Sequence, residues 1–350
     1  MFIVRLGSTH TRSPMITSAP ASPPSTILDV RGLHCDRGGT EILKGVDLAI
    51  PAGGILAVLG ANGAGKTTLI NVLSTLIPYS SGSVSVADHD LGSDPSGVRN
   101  SISLTGQFAA VDQELTGTEN LVFFGRLAGL SRRAAHDRAA ELLTEFNLSD
   151  AADKRLSDYS GGMRRRLDIA ASLVVPPALL FLDEPSTGLD PESREALWTQ
   201  ILDLRDHGMS ILLTTQYLDE ADRLADRVAV LRDGRIIAVD TPQNLKSAYG
   251  RHRCSVSFPD HASAVTAGRI LTERGYTARS NDLVVGDTGV VELLVRSGFT
   301  ELNPLLQAID SAGLTITDVG MTPPSLDDVY FALARSGVQT PQGPAGDGDR

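Results

Sequence analysis

The 350-residue sequence has no apolar run of about 18 residues or more, the length that a membrane-spanning helix requires. The apolar stretch in the opening MFIVRLG is too short for the core of a signal peptide. Only two cysteines occur, Cys35 and Cys254, which gives no disulfide framework and suits a reducing cytosol. These absences predict a cytoplasmic globular protein that would need a partner for any role at a membrane.

Excess positive charge is missing as well. The formal net charge is −11, which argues against a general nucleic-acid binder, because affinity for phosphates requires a basic surface. The hydrophobic content of 41% and the charged content of 21% are ordinary for globular proteins. A chain of this length is expected to form two domains, each with its own core.

Composition divides the chain into four parts. The first is rich in Ser, Thr, Pro and Ala and is predicted to be a disordered arm, and the last is a predicted tail rich in Pro and Gly. Between them lie an α/β domain with an all-helical insert and a small α+β domain of order βαββαβα. The predicted bounds are 1–26 for the arm, 27–249 for the α/β domain, about 108–165 for its insert, 250–335 for the α+β domain and 336–350 for the tail.

Short apolar runs predict the strands. ALLFL and SILLTT are almost entirely apolar, as in central parallel strands covered on both faces. VAVLR and RIIAV flank Asp233-Gly234, a turn sequence that predicts a β-hairpin. In the small domain we expect strands near 276–280 and 290–296 and in TITDVG. LDDVYFALA has apolar residues at helical spacing, and we expect this helix to dock on the larger domain.

A phosphate-binding loop is predicted where GILAVLG meets ANGAGKTT. The motif stands between an apolar strand and a helix, which is the context that it requires. Its glycines let backbone N–H groups point at a β-phosphate, Lys66 supplies a charge between the β- and γ-phosphates, and the Thr67 hydroxyl can ligate Mg²⁺. We expect Thr68 to reach the α-phosphate. The predicted nucleotide contacts of this loop are Gly60, Asn62, Gly63, Ala64, Gly65, Lys66, Thr67 and Thr68.

Polar residues at the ends of two further strands are expected at the same site. LLFLDEP places Asp183 and Glu184 at the carboxyl end of a buried strand, where ligands bind in open α/β sheets. Asp183 is predicted to hold Mg²⁺ through a water, and Glu184 to polarise the attacking water. The alternative is that these residues cap the following helix. Gln107 ends SISLTGQ, and its side-chain carbonyl is expected to contact Mg²⁺.

The segment YSGGMR opens a helix with a serine and two glycines. Bare N–H groups at the positive end of a helix favour an anion. The order of phosphate loop, Gln107 loop, YSGGM, Asp183-Glu184 strand and STGLD resembles the ATP-binding cassette (ABC) family over about residues 27–247. The resemblance implies an ABC-type P-loop ATPase with a RecA-like mixed sheet core and a helical subdomain. It also implies that two copies join head to tail, so that each ATP on one phosphate loop is contacted in trans by Ser160, Gly161 and Gly162 of the other copy.

Two positions depart from the family pattern in ways that bear on activity. Gln216, in TTQYLDEAD, stands where the family usually has a histidine that contacts the γ-phosphate. A glutamine can donate an N–H bond but carries no proton at neutral pH, so slow hydrolysis is expected. The aromatic residue that usually stacks on adenine is missing from HCDRGGTE, which offers Arg37 instead, and a guanidinium can stack on a base.

TGQFAAVDQELTGTENL, YSGGMRRRLDIAASLV and LLTTQYLDEADRLADR are similar to the ATPase subunits of the daunorubicin/doxorubicin-resistance subfamily. The resemblance implies a homodimer on the cytoplasmic face of the membrane, bound to a permease on a separate chain. It also implies that ATP hydrolysis powers export of an amphipathic drug or natural product. The alternative is a soluble nucleotide-gated protein with little hydrolysis and a non-transport partner. The implied catalytic residues are Lys66, Glu184 and Gln216, and the implied Mg²⁺ ligands are Thr67, Gln107 and Asp183.

Overall fold

A computed structural model of the chain describes residues 25–106, 110–276, 283–295 and 299–336. The strands in the first 250 residues are β1 (Thr26–Arg37), β2 (Thr40–Pro51), β3 (Ile55–Leu59), β4 (Ser81–Val86), β5 (His89–Asp90), β6 (Ile102–Thr105), β7 (Leu179–Asp183), β8 (Ser210–Thr215), β9 (Arg227–Arg232) and β10 (Arg235–Asp240). The α-helices there are α1 (Lys66–Leu73), α2 (Pro95–Ser101), α3 (Gly117–Leu127), α4 (Arg132–Glu145), α5 (Gly161–Ser172), α6 (Pro191–Asp206), α7 (Leu218–Leu224) and α8 (Pro242–Tyr249). The elements that follow are β11 (His252–Ser257), α9 (His261–Glu273), β12 (Leu283–Val285), β13 (Val290–Val295), α10 (Phe299–Asp310), β14 (Asp318–Thr322) and α11 (Leu326–Ser336).

A six-stranded sheet of order β10-β9-β3-β8-β7-β6 forms the centre of the larger part. Its strands are parallel except for the β9–β10 pair. Every residue of β3, β7 and β8 is buried, because alternate side chains enter two separate apolar clusters. In β7, for example, Leu180 and Leu182 face one cluster while Leu179 and Phe181 face the other. The prediction of central parallel strands in ALLFL and SILLTT is therefore confirmed.

The predicted hairpin is also confirmed, and its turn reaches the phosphate loop. Asp233 and Gly234 have φ values of 48° and 80°, as expected for a two-residue turn between twisted strands. The N–H of Gly234 donates to the carbonyl oxygen of Ala64 at 3.1 Å, and its own carbonyl accepts from the N–H of Lys44 at 2.8 Å. The turn thereby joins the phosphate loop to β2.

The small C-terminal sheet has the antiparallel order β12-β13-β11-β14 and the βαββαβ chain order of a ferredoxin-like unit. Helices α9 and α10 share its apolar cluster. The strand expected at 290–296 is confirmed as β13, whereas residues 277–280 of the strand expected near 276–280 lie outside the described residues. The strand expected in TITDVG begins later, at Asp318, because that residue pairs with Ser257 at the end of β11.

The last helix, α11, leaves the small sheet and packs on the larger part of the chain. Leu326, Val329 and Leu333 are buried in the same apolar cluster as β3 and α5. The helix contacts α7 and α8, and the carbonyl oxygen of Leu333 accepts from Arg232 Nη1 at 3.4 Å. The expectation that LDDVYFALA forms a docking helix is confirmed.

Gly234 allows a test of the hairpin contact. A Cβ at position 234 would overlap the carbonyl oxygen of Ile42, whereas a Cβ at Gly129 would meet nothing within 4 Å. Both glycines have positive φ, so alanine carries the same kind of backbone cost at either position. We expect Gly234→Ala to lower the free energy of unfolding by about 1–3 kcal/mol more than Gly129→Ala, measured by chemical denaturation. Equal losses would contradict the tight contact.

Candidate functional site

The loop between β3 and α1 has a backbone that only glycine adopts readily. Gly63 and Gly65 have φ values of 83° and 111°, a region that residues with a Cβ rarely enter. Gly65 is the N-cap of α1, so the free N–H groups of the first helical turn face this loop. A glycine-rich loop before a helix N-terminus is a site suited to phosphate.

Lys66 is the first residue of α1 and its side chain is only 4% exposed. Its ammonium donates to the carbonyl oxygens of Gly60 at 2.8 Å and Ala61 at 3.3 Å. Lys66 Nζ also lies 3.2 Å from Glu184 Oε1. Because an unpaired buried cation is costly, this ion pair fixes the phosphate loop next to the end of β7.

The end of β7 is held by the neighbouring strand. Asp183 is 4% exposed, and its Oδ1 accepts a short hydrogen bond from the Thr214 hydroxyl of β8. The backbone N–H of Glu184 donates to the carbonyl oxygen of Thr214 at 3.1 Å. Glu184 itself has φ 47°, a left-handed conformation that carries strain in a residue with a Cβ. Sequence reasoning missed Thr214, although a threonine at the end of the apolar run SILLTT was a signal.

The loop after β8 carries Gln216 into the same region. The carbonyl oxygen of Thr215 accepts from the N–H of Gly60 at 3.3 Å, so this loop adjoins the phosphate loop. The Thr215 hydroxyl accepts from the N–H of Tyr217 at 2.9 Å, which fixes the chain on the other side of the half-buried Gln216. The structure thus brings together the ends of β3, β7 and β8 with Lys66, Asp183, Glu184 and Gln216.

Glu220 lies in α7, four residues after Gln216, and is fully buried. Sequence reasoning did not identify this residue either. Trp198 Nε1 donates to its Oε1 at 3.1 Å. Burial raises the pKa of Glu220, and the hydrogen bond from Trp198 opposes that shift. This bond joins α7, which follows the Gln216 loop, to α6, which follows the Glu184 loop.

The segment Ser160–Gly162 lies at the start of α5. Ser160 is the N-cap, and its hydroxyl accepts from the N–H of Met163 at 3.2 Å. Ser160 and Gly161 are exposed, whereas Gly162 packs so closely on Ser193 that a Cβ there would overlap the Ser193 hydroxyl. Two of the three predicted contact residues, Ser160 and Gly161, are therefore presented at the surface of the chain, whereas Gly162 is buried.

Asp190 caps the adjacent helix, α6. Its carboxylate accepts from the backbone N–H of Ser193 at 2.9 Å and from the Ser193 hydroxyl at 2.7 Å, and these bonds lower the pKa of Asp190. Two capped helix N-termini thus lie side by side, joined by the packing of Gly162 on Ser193.

Two predicted nucleotide contacts remain. Arg37 is exposed at the end of β1, on the hairpin whose second strand packs Leu43 against Gly65. Gln107 lies outside the described residues. Its described neighbours are Gly106, whose carbonyl oxygen accepts from Arg165 Nη1 at 2.6 Å, and Ala110, whose N–H donates to Asp168 Oδ1 at 2.9 Å. Both partners belong to α5, so this helix holds Gly106 and Ala110, which lie on either side of Gln107 in the sequence.

Comparison with known proteins identifies the family. The sequence profile described as ABC transporter matches residues 43–187. Over 89% of this chain and 93% of the relative, the sequence is 47% identical to the daunorubicin/doxorubicin resistance ATP-binding protein DrrA of Streptomyces peucetius. The chain belongs to the ABC transporter family. This ABC protein is also 42% identical to the doxorubicin resistance ATP-binding protein DrrA of Mycobacterium tuberculosis, over 85% of the chain and 89% of that relative.

Solved structures show the same fold. CbiO1 from Clostridium perfringens, part of the ABC transporter complex CbiONQ, has a TM-score of 0.60 and 27% identity, covering 64% of this chain and 91% of its own. An ATP-binding subunit of an ABC transporter has a TM-score of 0.56 and 29% identity, covering 63% and 92%. The predicted α/β fold class of an ABC-type P-loop ATPase is confirmed, and so is the class of enzyme. No helix of the described ranges is long and apolar enough to cross a membrane.

Thr214 provides a test of the strand-end geometry. Thr214→Val keeps the shape of the side chain but removes the hydroxyl that orients Asp183. Because a hydrogen bond to a charged group contributes about 1.5–3 kcal/mol, we expect kcat for ATP hydrolysis to fall about tenfold or more. The control is Thr144→Val, on the exposed face of α4, where the hydroxyl donates to the helix carbonyl of Ala140 at 2.9 Å and accepts from the Ser149 hydroxyl at 3.4 Å. Equal kcat values in a steady-state phosphate-release assay would contradict the assigned role.

Proposed function

We propose that this ABC protein is the ATP-hydrolysing subunit of an exporter that moves a hydrophobic drug or natural product through a separate membrane permease. The cargo class is suggested by relatives named for daunorubicin and doxorubicin resistance, which are similar along nearly their whole length. Hydrolysis at the strand ends is supported above all by one observation. Lys66 and Glu184, which follow different strands, meet at 3.2 Å beside the buried Asp183.

In the proposed reaction Lys66 binds the β- and γ-phosphates, and Thr68 reaches the α-phosphate. Phosphate oxygens would compete with Glu184 for the Lys66 ammonium, so binding of ATP would release the Glu184 carboxylate to face a water molecule. Glu184 then polarises that water for attack on the γ-phosphate. Gln216, in the loop beside Gly60, would donate a hydrogen bond to the γ-phosphate.

Mg²⁺ fits the oxygen atoms present at the site. Hard divalent cations prefer oxygen ligands, and the chain offers the exposed hydroxyl of Thr67 in the first turn of α1 and the oriented carboxylate of Asp183. We propose that these two residues hold Mg²⁺, Asp183 through a water, with Gln107 as a third ligand. When bound, the ion neutralises charge on the β- and γ-phosphates.

We propose further that two copies assemble around two ATP molecules. Ser160 and Gly161 are exposed at the N-terminus of α5, where N–H groups and the helix dipole favour an anion. In the proposed homodimer these residues and Gly162 contact the γ-phosphate of an ATP on the partner's phosphate loop. Asp190, at the neighbouring helix start, would lie at the seam.

The surface of α3 supports a contact with the permease. Phe123 and Leu127 lie one turn apart and are 55% and 73% exposed, whereas Phe124 packs against the core. An exposed apolar pair on an otherwise polar surface is typical of an interaction site. We propose that Phe123, rather than Phe124, contacts the permease, which would place the chain at the cytoplasmic face of the membrane.

The second candidate function is a nucleotide-gated ABC protein with little hydrolysis. The observation in its favour is Gln216, since an amide cannot exchange a proton as a histidine can. Glu184 is still present in this chain, so we expect slow ATP hydrolysis rather than none.

Glu184→Gln separates these two functions. Removing a general base is expected to lower kcat roughly 10²–10⁴-fold while ATP binding persists, because the phosphate loop is unchanged. The measurement is phosphate release by the purified chain together with binding of a fluorescent ATP analogue. Asp206→Asn, an exposed carboxylate that pairs with Arg205 on α6, is the control. If wild type and Glu184→Gln turn over at equal rates, the nucleotide-gated function is favoured.

Two single-cysteine variants test the head-to-tail dimer. One carries Asn62→Cys on the exposed phosphate loop, and the other carries Gly161→Cys, where a Cβ would come no closer than 4.0 Å to Leu189. The native Cys35 and Cys254 are buried and stay in place. With saturating Mg·ATP in the Glu184→Gln background, the mixed proteins should form a disulfide-linked dimer under mild oxidation, seen on a non-reducing gel.

The control for crosslinking replaces Gly161→Cys by Arg133→Cys, on the exposed surface of α4. Its mixture with Asn62→Cys should give little product, because α4 does not belong to the proposed seam. A dimer yield that is the same for both mixtures, or independent of ATP, would contradict the head-to-tail arrangement.

A further inference from the structure

The buried side chain of Arg165 joins two separate parts of the site. It lies one turn into α5, is 11% exposed, and donates from three different nitrogens to three backbone carbonyls. Nε bonds the oxygen of Pro185 at 2.8 Å, and Nη2 bonds the oxygen of Asp183 at 3.2 Å. Nη1 bonds the oxygen of Gly106 at 2.6 Å. One guanidinium thus holds the carbonyls of Asp183 and Pro185, the residues on either side of Glu184, together with that of Gly106.

Asp168, one turn further along α5, completes this unit. Its side chain is 4% exposed, its Oδ2 lies 3.4 Å from Arg165 Nη1, and its Oδ1 accepts from the N–H of Ala110 at 2.9 Å. Gly106 and Ala110 are therefore both fixed to the same ion pair. A change in the position of Gly106 or Ala110 would have to break one of these bonds or move the ion pair.

Removing the charges of Arg165 and Asp168 from water costs free energy, which argues that this ion pair has a specific role. Desolvation lowers the pKa of Arg165 and raises the pKa of Asp168, and each group opposes the shift of the other. Glu220 and Asp183 also favour the charged guanidinium. Since apolar residues of similar volume often stabilise a fold as well as a buried ion pair does, stability alone is a poor reason for this arrangement.

The strained backbone of Glu184 is a reason for the buried ion pair to be present. Its φ of 47° is a strained conformation, and such residues keep their conformation only when the surrounding structure fixes them. Arg165 binds the carbonyls of Asp183 and Pro185, so it opposes rotation of the 183–184 peptide group and fixes the chain one residue after Glu184. The orientation of the Glu184 carboxylate therefore depends on where the guanidinium lies.

We propose that Arg165 is a positioning residue that sets the orientation of Glu184 through the carbonyls of Asp183 and Pro185 and ties it to Gly106 and, through Asp168, to Ala110. The proposal rests on the proposed function, because it assumes that Glu184 acts on the attacking water. Arg165 itself touches neither nucleotide nor water in this scheme. It links Gly106 and, through the ion pair with Asp168, Ala110 to the hydrolytic end of β7.

Arg165→Ala tests the proposal in the full chain, with Arg166→Ala as the matched control. Arg166 is the next residue of α5, is also partly buried, and donates from Nη1 to the carbonyl oxygen of Phe146 at 3.3 Å, away from both loops. We expect Arg165→Ala to lower kcat roughly 10- to 100-fold, the scale of a misplaced catalytic group, with an unchanged Kd for a fluorescent ATP analogue. Arg166→Ala should stay within about twofold of wild type.

Arg165→Lys separates charge from geometry. Lysine keeps the positive charge but has one nitrogen, which cannot reproduce three bonds spread over a planar fork. We expect Arg165→Lys to remain impaired in kcat, and full recovery of kcat would overturn the proposal. If Arg165→Ala fails to fold, Arg165→Lys against Arg166→Lys provides the same comparison.

Hydrogen exchange gives a second readout that does not depend on hydrolysis. The N–H groups of Ala110 and Glu184 both donate hydrogen bonds in this unit, to Asp168 and Thr214. Peptides containing them should exchange roughly tenfold faster in Arg165→Ala but not in Arg166→Ala. Unchanged exchange in both peptides would overturn the proposal.

The outcomes distinguish this proposal from the proposed function. If Glu184→Gln is impaired while Arg165→Ala and Arg166→Ala both match wild type, the inference about Arg165 fails and the function stands. If Glu184→Gln matches wild type, the proposed function fails, and the exchange rates of the two peptides still decide whether Arg165 fixes this part of the backbone.

Discussion

The ammonium of Lys66 is the constraint on which the rest of the site depends. A cation buried to this extent loses most of its hydration, and polar groups of the protein must replace the lost water. Two carbonyl oxygens of the phosphate loop and the carboxylate of Glu184 provide that replacement. Because Glu184 follows β7 while Lys66 follows β3, the pair connects strands that are separated in the sheet by β8.

The register of the central sheet brings these groups to one level. Asp183 pairs with Thr214 across β7 and β8, and Leu59 pairs with Thr215 across β3 and β8. Three apolar strands therefore end at one edge of the sheet, and each continues into a loop that carries polar residues of the site. Burial on both faces fixes the strands, and hydrogen bonds from β8 orient the side chains that emerge from them.

Sequence reasoning predicted the features that depend on residues close together in the chain. The apolar runs of β7 and β8, the Asp-Gly hairpin and the phosphate loop depend on neighbours in the chain. Thr214 and Arg165 were missed because the partner of Thr214 lies 31 positions away and the backbone partners of Arg165 lie 18, 20 and 59 positions away, and only the folded chain brings them together. The small domain was predicted less accurately, because its short strands have weak alternation and β14 begins where pairing with β11 allows. The roles of the individual site residues, and the domain limits, stay predictions.

The chain leaves the ferredoxin-like unit, just before α11, close to the point where it enters the unit, just after α8. Pro324, just before this helix, packs on Gly250, just after α8, and Leu326, Val329 and Leu333 cover the apolar surface of the larger part. Cutting the chain after Tyr249 would therefore not detach a self-contained module. It would remove α11 from α7 and α8 and expose the apolar surface that this helix covers. Exposed apolar surface of this kind promotes aggregation. Excising 252–322 while retaining α11 is the separation that this architecture permits.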